Sequence, residues 1–501
     1  MQPILSASQM KEWDSKTIEH YGIPSLVLME RAALQVCDKL QELFPSEKNI
    51  GIIAGPGNNG GDGIAIARIL HNKGMAVKAL ILGDSKKYSP QLRQELTIAG
   101  NYGVDIVYPW NIDDISTKEL SKIFRDFDVL VDAMFGIGLT RGLASEYAIA
   151  AEYINSSGKP VIAVDIPSGY DTDSGKLLGD VGVVANHTVT FAYMKKALVL
   201  GDCKTAAGEI TVADVGIYCN DNSVSLLLDD EILERIPKRK ATANKGSCGK
   251  ILVIAGSESI YGACYLSANA SLVTGAGLVK IYTHQNNIES IQQALPETMY
   301  KGYTRFDKDE IIEQISWADA IIIGPGLGTS DMAESILETV AENADVPVVI
   351  DADGLNLLAE KINLLDTLAS RVPVILTPHL KEMERLCGTP LADINYNMEQ
   401  VASDFSKANN CTLVLKNHTT VITNVNTIYY CNSGNEGLAT PGSGDVLAGI
   451  IGALLGQGID AISSASAGAY IHGRAGTIAS KEVGIKGLLA RDIIANINKL
   501  I

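Results

Sequence analysis

The chain has 501 residues and a formal net charge of −17, which is too long for one ordinary core and too acidic to favour a nucleic-acid or anionic-membrane partner. Eight cysteines, with no Cys-x-x-Cys pair among them, signal neither a zinc cluster nor a disulfide framework. The amino terminus lacks the charged start and apolar core of a signal peptide and no apolar run approaches about 18 residues, so a soluble cytoplasmic protein is expected.

Forty-seven glycines, few aromatics and short Val/Ile/Ala runs ending in Gly, Asp or Pro are the pattern of α/β proteins with buried parallel strands. Ser8 to His20 and Leu28 to Leu40 are predicted as two helices joined at Pro24. Met29, Ala32, Ala33 and Val36 repeat at helical spacing and mark a packing or subunit-contact face, with Glu30 on a solvated one. Asn49 to Ala54 predicts a short buried strand, followed by a loop from Gly55 to Gly63 and a helix beginning near Ile64. That loop has a Gly-x-Gly-x-x-Gly spacing, with Asp84 ending the next strand (Val77 to Leu82), so a dinucleotide fingerprint has to be considered. Asn58, Asn59 and Asp62 replace its usual apolar filling with oxygens suited to a ligand hydroxyl or a hard cation.

Two more strands end in the same way. Phe127 to Asp132 opens into Ala133 to Gly142, and Val161 to Asp165 opens into Ile166-Pro167-Ser168-Gly169. Parallel strands share one carboxyl edge, so Asn59, Asp62, Asp132, Asp165 and Ser168 are expected to converge; each aspartate alone could equally cap a helix. A fourth strand, His187 to Ala192, precedes Lys195, which either reaches that edge or belongs to a surface lysine pair.

A polar stretch around Cys219 to Ser223 sets a boundary near 220 to 228, dividing the chain into domains 1–220 and 228–501. The second domain opens with Asn244 to Lys250, a strand from Ile251 to Ala255 and a small-residue helix starting near Gly262-Ala263, which admits either a flat ligand or a close helix neighbour. Ala320 to Ile323 leads into Gly324-Pro325-Gly326-Leu327-Gly328, Val348 to Ile350 into Asp351 to Asn356, and Val374 to Leu376 into Thr377-Pro378-His379. His379 is either a ligand contact or a structural histidine. Thr412 to Ile422 predicts a hairpin whose turn, Lys416-Asn417-His418-Thr419-Thr420, offers amides and hydroxyls for an adenine or ribose, or is simply a turn.

Ala439-Thr440-Pro441-Gly442-Ser443-Gly444-Asp445 then precedes the apolar helical run Val446 to Ile451. Glycines before a helix start let bare N–H groups and the helix dipole converge on an anion. A carboxylate is repelled by a bound phosphate unless it takes the proton of an attacking hydroxyl, so Asp445 is a candidate base; a plain helix cap is the alternative. No Walker lysine follows, which excludes a P-loop NTPase.

These blocks, in this order, resemble two fused modules. The second half resembles the ribokinase-like NAD(P)H-hydrate dehydratases through Asn244-Lys245-Gly246, Gly324 to Gly328, Asp351 to Asn356, Leu376 to His379 and Gly434 to Asp445. The first half resembles the YjeF amino-terminal domain, an NAD(P)H-hydrate epimerase, through Asn58 to Gly63, Asp132 with Gly136 to Gly142, and Asp165 to Gly169. Asn244 stands where relatives often carry histidine, and Leu438, Pro441 and Ser443 replace methionine, alanine and threonine. The resemblance implies an N-terminal Rossmann-like three-layer α/β/α sandwich and a C-terminal ribokinase-like α/β/α domain.

It also implies a chemistry: repair of the hydrated cofactors NADHX and NADPHX. Asp445 would be the base, Gly442, Ser443 and Gly444 with Lys416 to Thr420 would hold ADP, magnesium would neutralise its phosphates, and Ala263, Gly326 and His379 would line the hydrate site. In the first half, Asp165, with Lys195 as second candidate, would handle protons. Asn59, Asp132 and Ser168 would bind potassium, while Asn58, Gly60, Gly61, Asp62 and Gly136, Ile137, Gly138, Leu139, Thr140, Arg141 and Gly142 would grip the dinucleotide. A homo-oligomer is expected. The rival readings are a ribokinase-type small-molecule kinase fused to a dinucleotide-binding or interaction domain, and a Rossmann dehydrogenase.

Overall fold

The computed structural model describes residues 1–108, 115–220 and 224–501. The chain divides into two compact units, Pro3–Val224 and Ser225–Ile501, the latter joined by Met1–Gln2. Asp221, Asn222 and Ser223, within the expected boundary stretch, lie outside the described residues.

In the N-terminal unit seven strands form one sheet in the order Asp105–Val107, Ala76–Ile81, Asn49–Ala54, Val129–Ala133, Val161–Val164, His187–Phe191 and Glu209–Ala213. Every neighbouring pair is parallel. Alternate residues of the apolar strands face opposite layers: Ile50, Ile52, Val129 and Val131 pack with helices Ser25–Leu43 and Asn58–Asn72, whereas Ile53 and Leu130 pack with helix Glu146–Ser156. That makes the three-layer sandwich. Strand order reverses between Asn49–Ala54 and Val129–Ala133, and such a switch point opens a crevice at the strands' carboxyl ends.

One expectation fails at that place. The helix begins at Asn58, not near Ile64. A Cβ on Gly60 would lie 1.9 Å from the Gly55 carbonyl oxygen, and one on Gly63 would lie 2.6 Å from Ala133 Cβ. Glycines that read as a loop are the surface on which this helix seats against the sheet.

The C-terminal unit carries its own sheet, ordered Met299–Tyr303, Leu278–His284, Lys250–Ile254, Ala320–Ile323, Val348–Ile350, Val374–Leu376 and Thr412–Leu415, all parallel, continuing into the antiparallel strands Thr420–Thr423 and Ile428–Cys431. Ile251, Val253 and Ile322 join a core with helices Ser443–Gly456 and Ala461–Val483, while Leu252, Ile254 and Ile321 are as fully buried on the other face. Both faces are therefore covered, as parallel sheets require. The order reverses between Lys250–Ile254 and Ala320–Ile323. Among the described residues no helix is long and apolar enough to cross a membrane.

Candidate active sites

At the N-terminal switch point lies a cavity of about 530 Å³, whose lining includes Asn58, Asn59, Asp62, Gly136, Asp165 and Lys195. Asp165 follows strand Val161–Val164 in the left-handed backbone region, φ 70°. Its Oδ1 lies 2.6 Å from the Lys195 ammonium and accepts from Thr190 Oγ1 at 3.2 Å. Lys195, 1% exposed, also donates to Thr190 Oγ1 and to the Phe191 carbonyl. Burial lowers its pKa and the Asp165 charge opposes that shift. Lys195 is thus at the edge, not in a surface pair. Asp62 is pushed well above the usual carboxylate range by burial, with the charges of Asp165, Asp14 and Glu95 acting the same way.

Asp132 and Ser168 do not line the cavity; they brace the loop that does. The Ser168 hydroxyl and backbone N–H each donate to Asp132 at 2.8 Å, Met134 N–H donates to the same carboxylate at 3.1 Å, and Phe135 N–H donates to Ser168 Oγ at 2.9 Å. Burial raises the Asp132 pKa to about 6 despite these donors. A Cβ on Gly136 would fall 2.9 Å from Asp165 Oδ2 and 3.3 Å from Asn59 Oδ1. Glycine therefore keeps the space between those oxygens open. Asn59 Nδ2 is buried without a hydrogen-bond partner among the described residues, which is costly unless a ligand completes it.

Other expected contacts do not reach the cavity. Gly60 seats on Gly55, Gly61 on Met29, and Gly142 on the Leu178 carbonyl, where a Cβ would sit 2.4 Å away. Thr140 and Arg141 are exposed outside the lining.

In the C-terminal unit, Gly442 at φ 85° turns the chain into helix Ser443–Gly456, whose first turn contains Asp445. Beside it Lys416 Nζ lies 3.0 Å from Asp351 Oδ1, which also accepts from Thr377 Oγ1 at 2.7 Å. A Cβ on Gly444 would stand 3.4 Å from that ammonium and 3.5 Å from Asp351 Oδ2. Burial and the Asp351 charge push Asp445 up to about 7, against the pull of Lys416. Ser443 Oγ lies 3.0 Å from His472 Nε2.

A Cβ on Gly326 would lie 3.0 Å from Ala263 Cβ, so these two expected contacts are neighbours. His379 caps helix Leu380–Cys387: its Nδ1 accepts from the Lys381 and Glu382 N–H groups at 3.1 Å, and a backbone bridge ties it to Lys416. Of the expected nucleotide turn, Lys416 reaches Asp351. Asn417 donates instead to Asn395 at 3.0 Å, His418 is exposed, Thr419 is buried and Thr420 opens the next strand.

Three residues of these sites were not singled out from the sequence: Asp14 in the cavity lining, Thr190 and His472; Lys416 was expected at the nucleotide, but not its ion pair with Asp351. Asp351 carried the strand-end signal that marks Asp165. Thr190 and His472 lie inside a regular strand and helix, where nothing local distinguishes them.

Two family models match the chain, one described as YjeF-related protein N-terminus over residues 25–197 and one as NAD(P)H-hydrate dehydratase over residues 251–499. The bifunctional NAD(P)H-hydrate repair enzyme Nnr of Moorella thermoacetica is 34% identical over 98% of this chain and 95% of its own. That of Coxiella burnetii is 34% identical over 98% of both. Among solved structures, the ADP/ATP-dependent NAD(P)H-hydrate dehydratase of Bacillus subtilis, co-crystallised with ATP/Mg2+, is 28% identical, with 55% of this chain and 97% of that one covered at a TM-score of 0.48.

Proposed function

Since the chain belongs to the bifunctional NAD(P)H-hydrate repair enzymes, we infer how its two units divide the repair: the C-terminal unit dehydrates the S hydrate at the expense of ADP, and the N-terminal unit interconverts the R and S hydrates. The observation that carries the first half is Asp445, a carboxylate poised near neutrality in the first turn of a helix.

Water added to the reduced nicotinamide ring leaves a hydroxyl on carbon 6, a poor leaving group. Asp445 takes its proton as the oxygen attacks the terminal phosphorus of ADP; the bond to AMP breaks and AMP carries away the electron pair. Helix N-terminal amides from Ser443 and Gly444, with Lys416, hold the negative charge that develops. The ring nitrogen's lone pair then expels phosphate from carbon 6, carbon 5 loses a proton, and the ring double bond returns. The oxygen donors Asp351 and Asp353 near Asp445 suit magnesium, which would neutralise the nucleotide's phosphates when bound.

In the N-terminal unit the Lys195–Asp165 pair passes an ammonium proton through Asp165 to the departing hydroxyl of the other epimer, the ring nitrogen sustains the planar cation, and water returns from the opposite face as it gives a proton back to the pair. Lys195 orients Asp165. Asn59, Asp132 and Ser168 would hold potassium through their oxygens: Asp132 takes three hydrogen bonds, which leaves one of a carboxylate's about four lone-pair sites for the ion. When bound, the ion would supply positive charge towards an anionic substrate. We further infer a cytoplasmic homo-oligomer, with Val27 and Leu34 exposed on helix Ser25–Leu43 as its contact face.

Given ADP and a mixture of epimers, the purified chain should return all of the hydrate to the reduced cofactor. Recovery that ignores ADP, or that stops when the S form is spent, contradicts this division of labour.

A further inference from the structure

We propose that His472 is a positioning residue of the dehydratase site, holding the Ser443 hydroxyl so that its proton is directed at the nucleotide's phosphate. The inference rests on the dehydratase reading of this unit. Ser443 is the first residue of the cradle helix and buried. His472 lies within helix Ala461–Val483, which seats closely on the cradle helix: a Cβ on Gly468 would lie 2.5 Å from Ile451 Cγ1. That approach brings His472 Nε2 to 3.0 Å from Ser443 Oγ.

Burial, and the Lys416 ammonium nearby, push the His472 imidazole down to about 4, so the ring is neutral under working conditions, with one N–H and one bare nitrogen. If Nε2 is bare, the serine spends its proton on the ring and offers an anion only lone pairs. If Nε2 carries the hydrogen, the ring donates to Ser443 Oγ and the serine's own proton is free. A phosphate in the cradle selects the second arrangement, because a hydrogen bond to a charged acceptor is the stronger one. Ser443 then adds a side-chain donor to the backbone amides, and His472 fixes its direction without touching the nucleotide.

The test is a double-variant cycle in the full chain, following ADP-dependent dehydration of the S hydrate. His472→Leu and Ser443→Ala should each lower kcat about tenfold, leaving the KM for the hydrate unchanged, and the double variant should fall no more than about twofold further. His472→Gln, whose amide N–H can donate, should recover most of the loss, and unchanged epimerisation by the same preparations reports an intact chain. Losses that multiply in the double variant, His472→Leu within about twofold of wild type, or a glutamine variant as poor as the leucine one each overturn the inference. Should His472→Leu fail to fold, His472→Met, which likewise has no donor, takes its place in the same cycle with the same expected outcomes. A wild-type chain with no ADP-dependent turnover instead overturns the dehydratase reading itself, and with it this inference.

Discussion

Lys195 and Asp165 meet at 2.6 Å inside the N-terminal unit, and the lysine is 1% exposed. An ion pair that deep repays its desolvation only with good geometry and further hydrogen bonds, and Thr190 and the Phe191 carbonyl supply them.

Asp165→Asn keeps the shape but cannot shuttle a proton, so epimerisation should fall by about a thousandfold. Lys195→Met leaves a buried carboxylate without its counter-charge and should cost about 3–5 kcal/mol of stability, read as a lower urea midpoint. Unchanged interconversion by the asparagine variant would remove Asp165 from the chemistry.

If Asp445 is the base, it acts ionised, so dehydration should rise with pH through about 7 and level off above it. Stability runs the other way. The folded-state pKa lies above the ordinary 3.8, so the protonated carboxyl favours the fold at low pH and that contribution is lost as pH rises through about 7. Asp445→Asn should therefore be inactive, and its gain in melting temperature over wild type should be larger at about pH 8 than at about pH 5.

Removing Lys416 withdraws the charge that holds Asp445 down. In Lys416→Met the midpoint of the pH–rate profile should move up by about one unit, and the KM for ADP should rise. A fixed midpoint would show that the ammonium does not act on Asp445.

Exchanging potassium for N-methylglucamine at constant ionic strength should slow epimerisation severalfold while dehydration on ADP stays constant. If both rates hold, Asp132 and Ser168 serve only to brace their loop.

The strands beside the two switch points could be read from the sequence because Asn49–Ala54, Val129–Ala133, Val161–Val164, Ala320–Ile323 and Val348–Ile350 are largely apolar runs that give way to polar or glycine-rich loops. Asp132, Asp165 and Asp351 stand out for this reason, and Asp445 for its place in the glycine turn that opens a helix. Glycine was harder to interpret. Gly60, Gly61 and Gly63 look like a flexible loop in one dimension and are the seat of a helix in three, a distinction set by Gly55, Met29 and Ala133. His472 was invisible because its role comes from a neighbour 29 residues earlier in the chain, reached through helix packing rather than local pattern.

The left-handed backbone at Asp165 narrows what that position can hold. Aspartate and asparagine visit this region more readily than longer side chains, so glutamate, though the same acid, would strain the turn and carry its carboxyl past Lys195. Stereochemistry selects the residue before reactivity does, and a search for improved variants there has a choice of essentially one proton carrier.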